Sequence, residues 1–215
     1  MKKLFAISLV FIGAFLSETT AVRLHAQGQM FLSNLGEPSS GFVAVGSDSL
    51  IAVPFLTGDN GRGYSINSIQ LLMSASTGNP NNFFISIHNP QRMEGPGTLV
   101  GHLTGPSPTT AGIYSYTAAN MQLAPVSIYW LQVASDTPVA NGSFSLNLAN
   151  STNFNSLQGW ALGTGYDRST DGVNWSVINM PVQLAINASS IPEPSSLLLF
   201  FGGLLFGANL LRRRI

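Results

Sequence analysis

The chain has 215 residues and 22.8 kDa, and only 8% of it is charged, against about 25% in an ordinary soluble protein. That deficit excludes a solvated disordered chain, a coiled coil and a nucleic-acid-binding surface, each of which depends on charge. No cysteine is present, which removes disulfides, a thiolate nucleophile and thiolate metal sites. The basic residues gather at the ends: Lys2, Lys3 and Arg23 near one, Arg212, Arg213 and Arg214 at the other. Between residues 27 and 192 only Arg62, Arg92 and Arg168 stand against seven acids, so the middle carries about −4.

In chain order, residues 1–26 read first as a secretory signal peptide for export through the Sec pathway. Lys2 and Lys3 precede an apolar run, Leu4 to Leu16, that as a helix spans only about 20 Å, too short for a hydrocarbon core of roughly 30 Å. Small residues offer cleavage after Ala21 or after Ala26.

From 27 to 188 the pattern is one of short alternating runs. Leu50 to Leu56 forms a strand interrupted by Pro54; Ile69, Leu71 and Met73 share a face; Phe83, Ile85 and Ile87 alternate with Phe84, Ser86 and His88. Tyr129, Leu131 and Val133 lie opposite Ile128, Trp130 and Gln132, and further alternations centre on Phe144, Leu146 and Leu148 and on Val182, Leu184 and Ile186. Gly58-Asp59-Asn60-Gly61, Gly78-Asn79-Pro80, Gly95-Pro96-Gly97, Asn141-Gly142 and Asp171-Gly172 supply turns. This is the pattern of an all-β protein: a single antiparallel β-sandwich or jelly-roll-like domain, flanked by an N-terminal signal helix and a C-terminal transmembrane helix. Ala188-Ser189-Ser190 reads as a short spacer after it.

Catalytic groups are scarce in this domain. His88 and His102 are its histidines, both at strand positions, no Gly-x-Ser-x-Gly elbow occurs, and a carboxylate pair such as Glu94 with Asp136 has no spacing to support it. The expectation is a protein that is not an enzyme and needs no cofactor or metal. Asp59-Asn60-Gly61 and Asp167 to Gly172 are rich in oxygen ligands of the kind calcium takes, and the same residues equally spell turns. Trp160 and Trp175 lie beside glycine and asparagine, which would leave them partly exposed as stacking surfaces for a sugar; the alternative is core packing, as expected for Trp130.

The tail, residues 189–215, is the most specific segment. Pro192-Glu193-Pro194 is followed by an apolar stretch, 195–211, and then by Arg212, Arg213 and Arg214. The prolines keep the chain extended before the helix, which at about 26 Å is just long enough to span a bilayer. The arginines orient it with the basic end in the cytoplasm.

These three features in this order resemble the PEP-CTERM sorting signal of Gram-negative bacteria. The resemblance implies an inner-membrane precursor processed by an exosortase near Pro192, Glu193 and Pro194, with Arg212, Arg213 and Arg214 holding it in the membrane. It also implies a destination at the cell surface or in an exopolysaccharide or biofilm matrix, with a structural or adhesive role or, alternatively, binding of polysaccharide through exposed aromatics. The central domain resembles the exported choice-of-anchor β-sandwich domains at Leu56-Thr57-Gly58, the run Tyr64 to Met73, Gly95-Pro96-Gly97 with Leu99 to Leu103, and Tyr129-Trp130-Leu131.

Overall fold

The computed structural model describes residues 28–91 and 95–192. The expected signal peptide, the membrane helix over 195–211 and the basic end lie outside the described residues.

Alternation in the sequence becomes strand after strand: β1 (Gln29–Ser33), β2 (Ser39–Val45), β3 (Leu50–Leu56), β4 (Tyr64–Gly78), β5 (Phe83–Pro90), β6 (Pro96–Thr104), β7 (Gly112–Leu123), β8 (Ile128–Ser135), β9 (Gly142–Ala149), β10 (Asn155–Ser156), β11 (Ala161–Leu162), β12 (Tyr166–Ser169), β13 (Ser176–Ile178) and β14 (Leu184–Ser190). The described residues contain no α-helix, only a 3-10 turn at Val139–Asn141. The protein is all-β, and every strand pairing is antiparallel.

Hydrogen bonds link the strands in the order β10-β1-β14-β4-β7-β6-β5-β8-β3-β12-β13, with β9 branching from β4 and carrying β2 on its other side. The path has two limbs, joined where Leu103 and Thr104 of β6 pair with Ala118 and Thr117 of β7. One buried cluster draws on both limbs, with Ile69, Leu71 and Ile186 from the first and Ile51, Ile85 and Leu131 from the second. Phe83 of β5 meets Tyr116 of β7 at 5.6 Å and Phe144 of β9 at 4.9 Å between ring centroids.

Two local features depart from simple alternation. In β4 the buried residues are Tyr64 and Ile66, then Ile69, Leu71 and Met73, so the parity flips. A register shift against β7 between Ile66 and Ser68 absorbs the extra residue, as a β-bulge does. Pro54 does not interrupt β3, contrary to the sequence expectation. The strand runs through it, because the neighbour on one side is divided there: β11 covers Phe55 and Leu56, and β12 covers Leu50 to Ala52. At the gap the Pro54 carbonyl accepts from Gly163 N–H at 2.9 Å, and the missing proline donor goes unneeded.

Candidate functional site

The sorting residues begin where the sheet ends. β14 is an interior strand: its Leu184 to Ser190 pair with β4 down to Ser190 opposite Tyr64, and on its other side β1 pairs from Ser33 opposite Ala185 to Gln29 opposite Ala188. Ile191 adds a last backbone bond, donating to the Gly63 carbonyl at 3.0 Å. The expected spacer is therefore part of the final strand, and Pro192 follows the last paired residue directly. Glu193, Pro194 and Arg212, Arg213 and Arg214 lie outside the described residues.

The start of the described chain sits beside this end. Gly28 has φ +57, a left-handed conformation that ends the extended run of β1, and a Cβ there would fall on the Asn67 side chain. The Ser189 hydroxyl donates to the same Asn67 at Oδ1, 3.0 Å away. Asn67 thus holds the first and last parts of the domain together. Gln158 joins them: its Oε1 accepts from the Tyr64 hydroxyl at 3.3 Å and from Ser190 at 3.5 Å. Gly28 and Ser189, near the two ends of the described domain, thus lie at one pole.

The tryptophans separate. Trp160 does not offer a surface to a sugar; it is 1% exposed. Its indole stacks on Phe55 of β3 (6.0 Å, 6°) and meets Tyr64 of β4 (5.0 Å) and Phe31 of β1 (5.4 Å) edge-on or tilted. It therefore fills the space between the two limbs, and burial of that area outweighs its unpartnered Nε1–H. Trp130 is buried as expected. Trp175 is half-buried, packed on Gly95, where a Cβ would come within 2.7 Å of its ring.

The histidines are built into strand pairing. His88 lies at a register shift of β5 against β6; its Nδ1 bonds the Gly97 carbonyl at 3.0 Å and its Nε2 meets the Ser86 hydroxyl at 2.9 Å. His102 lies opposite Ser86 in that ladder and is exposed. A serine and a histidine do come together, although Ser86 is only 7% exposed.

Of the oxygen-rich turns, the second is occupied by its own loop. Asp171 Oδ1 accepts from the Val173 and Asn174 amides, both at 2.8 Å, and from the Ser169 hydroxyl, while Oδ2 accepts from Asn174 Nδ2 at 2.7 Å. These donors hold its carboxyl well below the usual range. Asp167, 6% exposed within β12, is shifted the other way: burial raises its pKa. In the first turn Asn60 Nδ2 donates to the Gly63 carbonyl at 2.6 Å and shapes the entry to β4.

A groove that sequence reasoning missed lies at the opposite pole, where β14 begins. It has a volume of about 490 Å³ and is lined by Ser40, Asn150, Ser151, Thr152, Asn153 and Asn179, with Ala149, Met180 and Pro181 as its apolar part. The Ser151 hydroxyl is held by the Glu37 carboxylate, and Gln183 Nε2 donates to the Glu37 carbonyl at 2.6 Å. Its lining comes from β2, the segment after β9 and the segment before β14. Only the Asn-Ser-Thr-Asn run signals it locally.

Residues 190–214 match the family model described as the PEP-CTERM protein-sorting motif. No curated protein and no solved structure matches the chain. The motif marks an exported precursor that is anchored in the membrane and processed by an exosortase at the cell surface.

Proposed function

We propose that the chain is a structural or adhesive component of an extracellular polysaccharide or biofilm layer, exported by the Sec pathway and delivered by exosortase processing, with no catalytic role of its own. The observation that carries this reading is the sorting motif, placed immediately after the last strand of a charge-poor all-β domain. The domain is a β-sandwich in this reading, its two limbs closing on a shared core, and of the exported choice-of-anchor kind. Its surface groove sets hydroxyl and amide side chains beside an apolar patch of Ala149, Met180 and Pro181, a combination suited to a hydrated neutral polymer.

The test is the maturation of tagged precursor in the native host. Glu193→Ala removes the one charge in the Pro192–Pro194 segment and is expected to accumulate the membrane-bound precursor without changing export. Replacement of Arg212, Arg213 and Arg214 by neutral residues is expected to weaken membrane retention instead. Maturation of Glu193→Ala at the wild-type rate would reduce the tail to an ordinary anchor.

A second reading, binding of a neutral polysaccharide, is favoured by the groove at Ser40, Asn150 and Asn179. Asn150→Ala and Asn179→Ala are each expected to weaken co-sedimentation with extracted matrix polysaccharide by about 1 kcal/mol, the scale of one hydrogen bond. Equal retention of the double variant would remove the groove from consideration.

A further inference from the structure

Three pieces of backbone close around the point where β14 ends. Ile191 N–H reaches the Gly63 carbonyl, and Gly63 lies against Leu123 and Ala124 at the end of β7. The turn that follows bonds through Val126 N–H to the Gly58 carbonyl at 3.0 Å, and Gly58 packs on Gln158, whose side chain accepts from Ser190. Ile128 opens β8 opposite Leu56, the last residue of β3. Large apolar side chains ring this exit: Val126 is 63% exposed, Ile128 51% and Leu157, beside Gln158, 40%. Val126 also stands at φ +46, directly after Pro125, a conformation that β-branched residues rarely adopt and that glycine or asparagine takes readily. The sequence thus keeps an exposed valine there at the cost of backbone strain.

Charge is distributed the other way. Glu37 follows β1, Asp48 precedes β3, Asp136 follows β8 and Asp171 sits in the β12–β13 turn, all beyond the strand ends remote from the exit. Among the described acids only Asp59 is near the exit, where Arg62 is exposed beside Gly63. The tether is short, since only Pro192, Glu193 and Pro194 separate Ile191 from the apolar stretch 195–211. Three extended residues reach about 10 Å, and the headgroup layer of one leaflet is itself roughly 5–8 Å thick. A domain on that tether cannot stand clear of the bilayer.

We propose that the exit pole is a membrane-contact surface: in the precursor Val126, Ile128 and Leu157 enter the headgroup–acyl boundary of the bilayer that anchors the tail, with Arg62 at the level of the lipid phosphates. The proposal rests on the membrane-anchored precursor that the sorting motif marks, and adds what the folded domain does there. Apolar side chains beside a cation bind such an interface, and anionic lipid repels carboxylates, which matches the place of the acids at the remote end. Burial in lipid offsets the strain that Val126 carries. The contact stands the domain upright, with the groove at Asn150 and Asn179 turned away from the membrane.

The chain has no cysteine, so single probes can be placed on it. Full-length precursor, made in a host without exosortase, is reconstituted in phosphatidylethanolamine–phosphatidylglycerol vesicles with an environment-sensitive fluorophore on Leu157→Cys, or on Ser47→Cys beside Asp48 at the remote end. A lipid spin-labelled near its headgroup is expected to quench the Leu157 probe several-fold more than the Ser47 probe. A Gly-Ser insertion of about eight residues between Ile191 and Pro192 separates affinity from mere tethering. Quenching is expected to survive the insertion and to fall several-fold when Val126→Asn and Ile128→Ser are added. Val126→Asn suits the left-handed backbone and is expected to raise the thermal midpoint, so a lost contact is not lost folding. Equal quenching of the two probes would overturn the proposal, as would quenching in the inserted precursor that the Val126 and Ile128 changes leave unaltered. Emission shielded from water yet unquenched would overturn it too, assigning the pole to protein, a second copy or the chain's own first residues. Flotation with the vesicles is scored in the same samples. A precursor that does not float overturns the anchored reading and the proposal with it, whereas a floating one with an unquenched Leu157 probe overturns the proposal alone.

Discussion

Trp160 is the largest fully buried side chain among the described residues. Its ring touches Phe31, Phe55 and Tyr64, which come from three strands and both limbs. Trp160→Ala is expected to destabilise the domain by about 3–5 kcal/mol, as large-to-small changes at such sites do, and to shift the urea midpoint accordingly. Nothing local foretold this burial. Gly159 precedes Trp160 and no alternating run contains it, so its environment is set by strands that pair far away in sequence. The same limit applied to the acids. Asp167 and Asp171 lie four residues apart, yet burial raises the pKa of one and hydrogen bonds lower that of the other. For Asp167 the folded carboxyl binds its proton more tightly than the unfolded one, so its contribution to stability is greatest at low pH and declines as pH rises through the raised pKa. Asp171 has the opposite sign: its contribution is present above the ordinary carboxylate pKa and is lost in acid. Asp167→Asn should therefore flatten the loss of stability on the ascending side of pH 4, leaving the variant at least as stable as wild type near pH 7. Urea midpoints across that range decide it, and an unchanged pH profile would contradict the assignment.

At the scale of elements, period-two patterning located β5, β8, β9 and the core of β4 because their alternate apolar residues, such as Ile85 and Ile87 or Leu146 and Leu148, are buried. It could not show partners. The continuity of β3 through Pro54 depends on a break between β11 and β12, over a hundred residues away in the chain, and the spacer reading of Ala188 to Ser190 failed because β4 pairs with all three residues and β1 with Ala188. The groove escaped notice for the same reason, being assembled from β2 and the segments flanking β9 and β14. Turn chemistry was more legible: Gly78, Gly95 and Gly172, each read as a turn glycine from the sequence, stand at φ +62, +82 and +76, whereas Gly63 was not singled out. Gly63 stands at φ +82, and a methyl group there would overlap the Leu123 carbonyl. Gly63→Ala is expected to cost at least about 2 kcal/mol, from left-handed strain and that overlap together. It should also loosen Ile191, whose amide depends on the Gly63 carbonyl, seen as faster hydrogen exchange at that amide than elsewhere in β14.

At the largest scale, the described domain has two poles joined by β14. The seven-residue strand is roughly 23 Å long; the sorting residues leave from its end, and the groove opens near its start. If the protein is tethered by its tail and held by matrix at the groove, tension runs along the strand axis. An interior antiparallel strand pulled lengthwise must slide past both neighbours, so its ladders to β1 and β4 resist together rather than parting one bond after another. Pulled sideways from an edge, the same bonds would unzip in sequence at much lower force. The placement of the last strand between the first and the fourth thus loads the domain in shear rather than in peel when it is pulled by its tail.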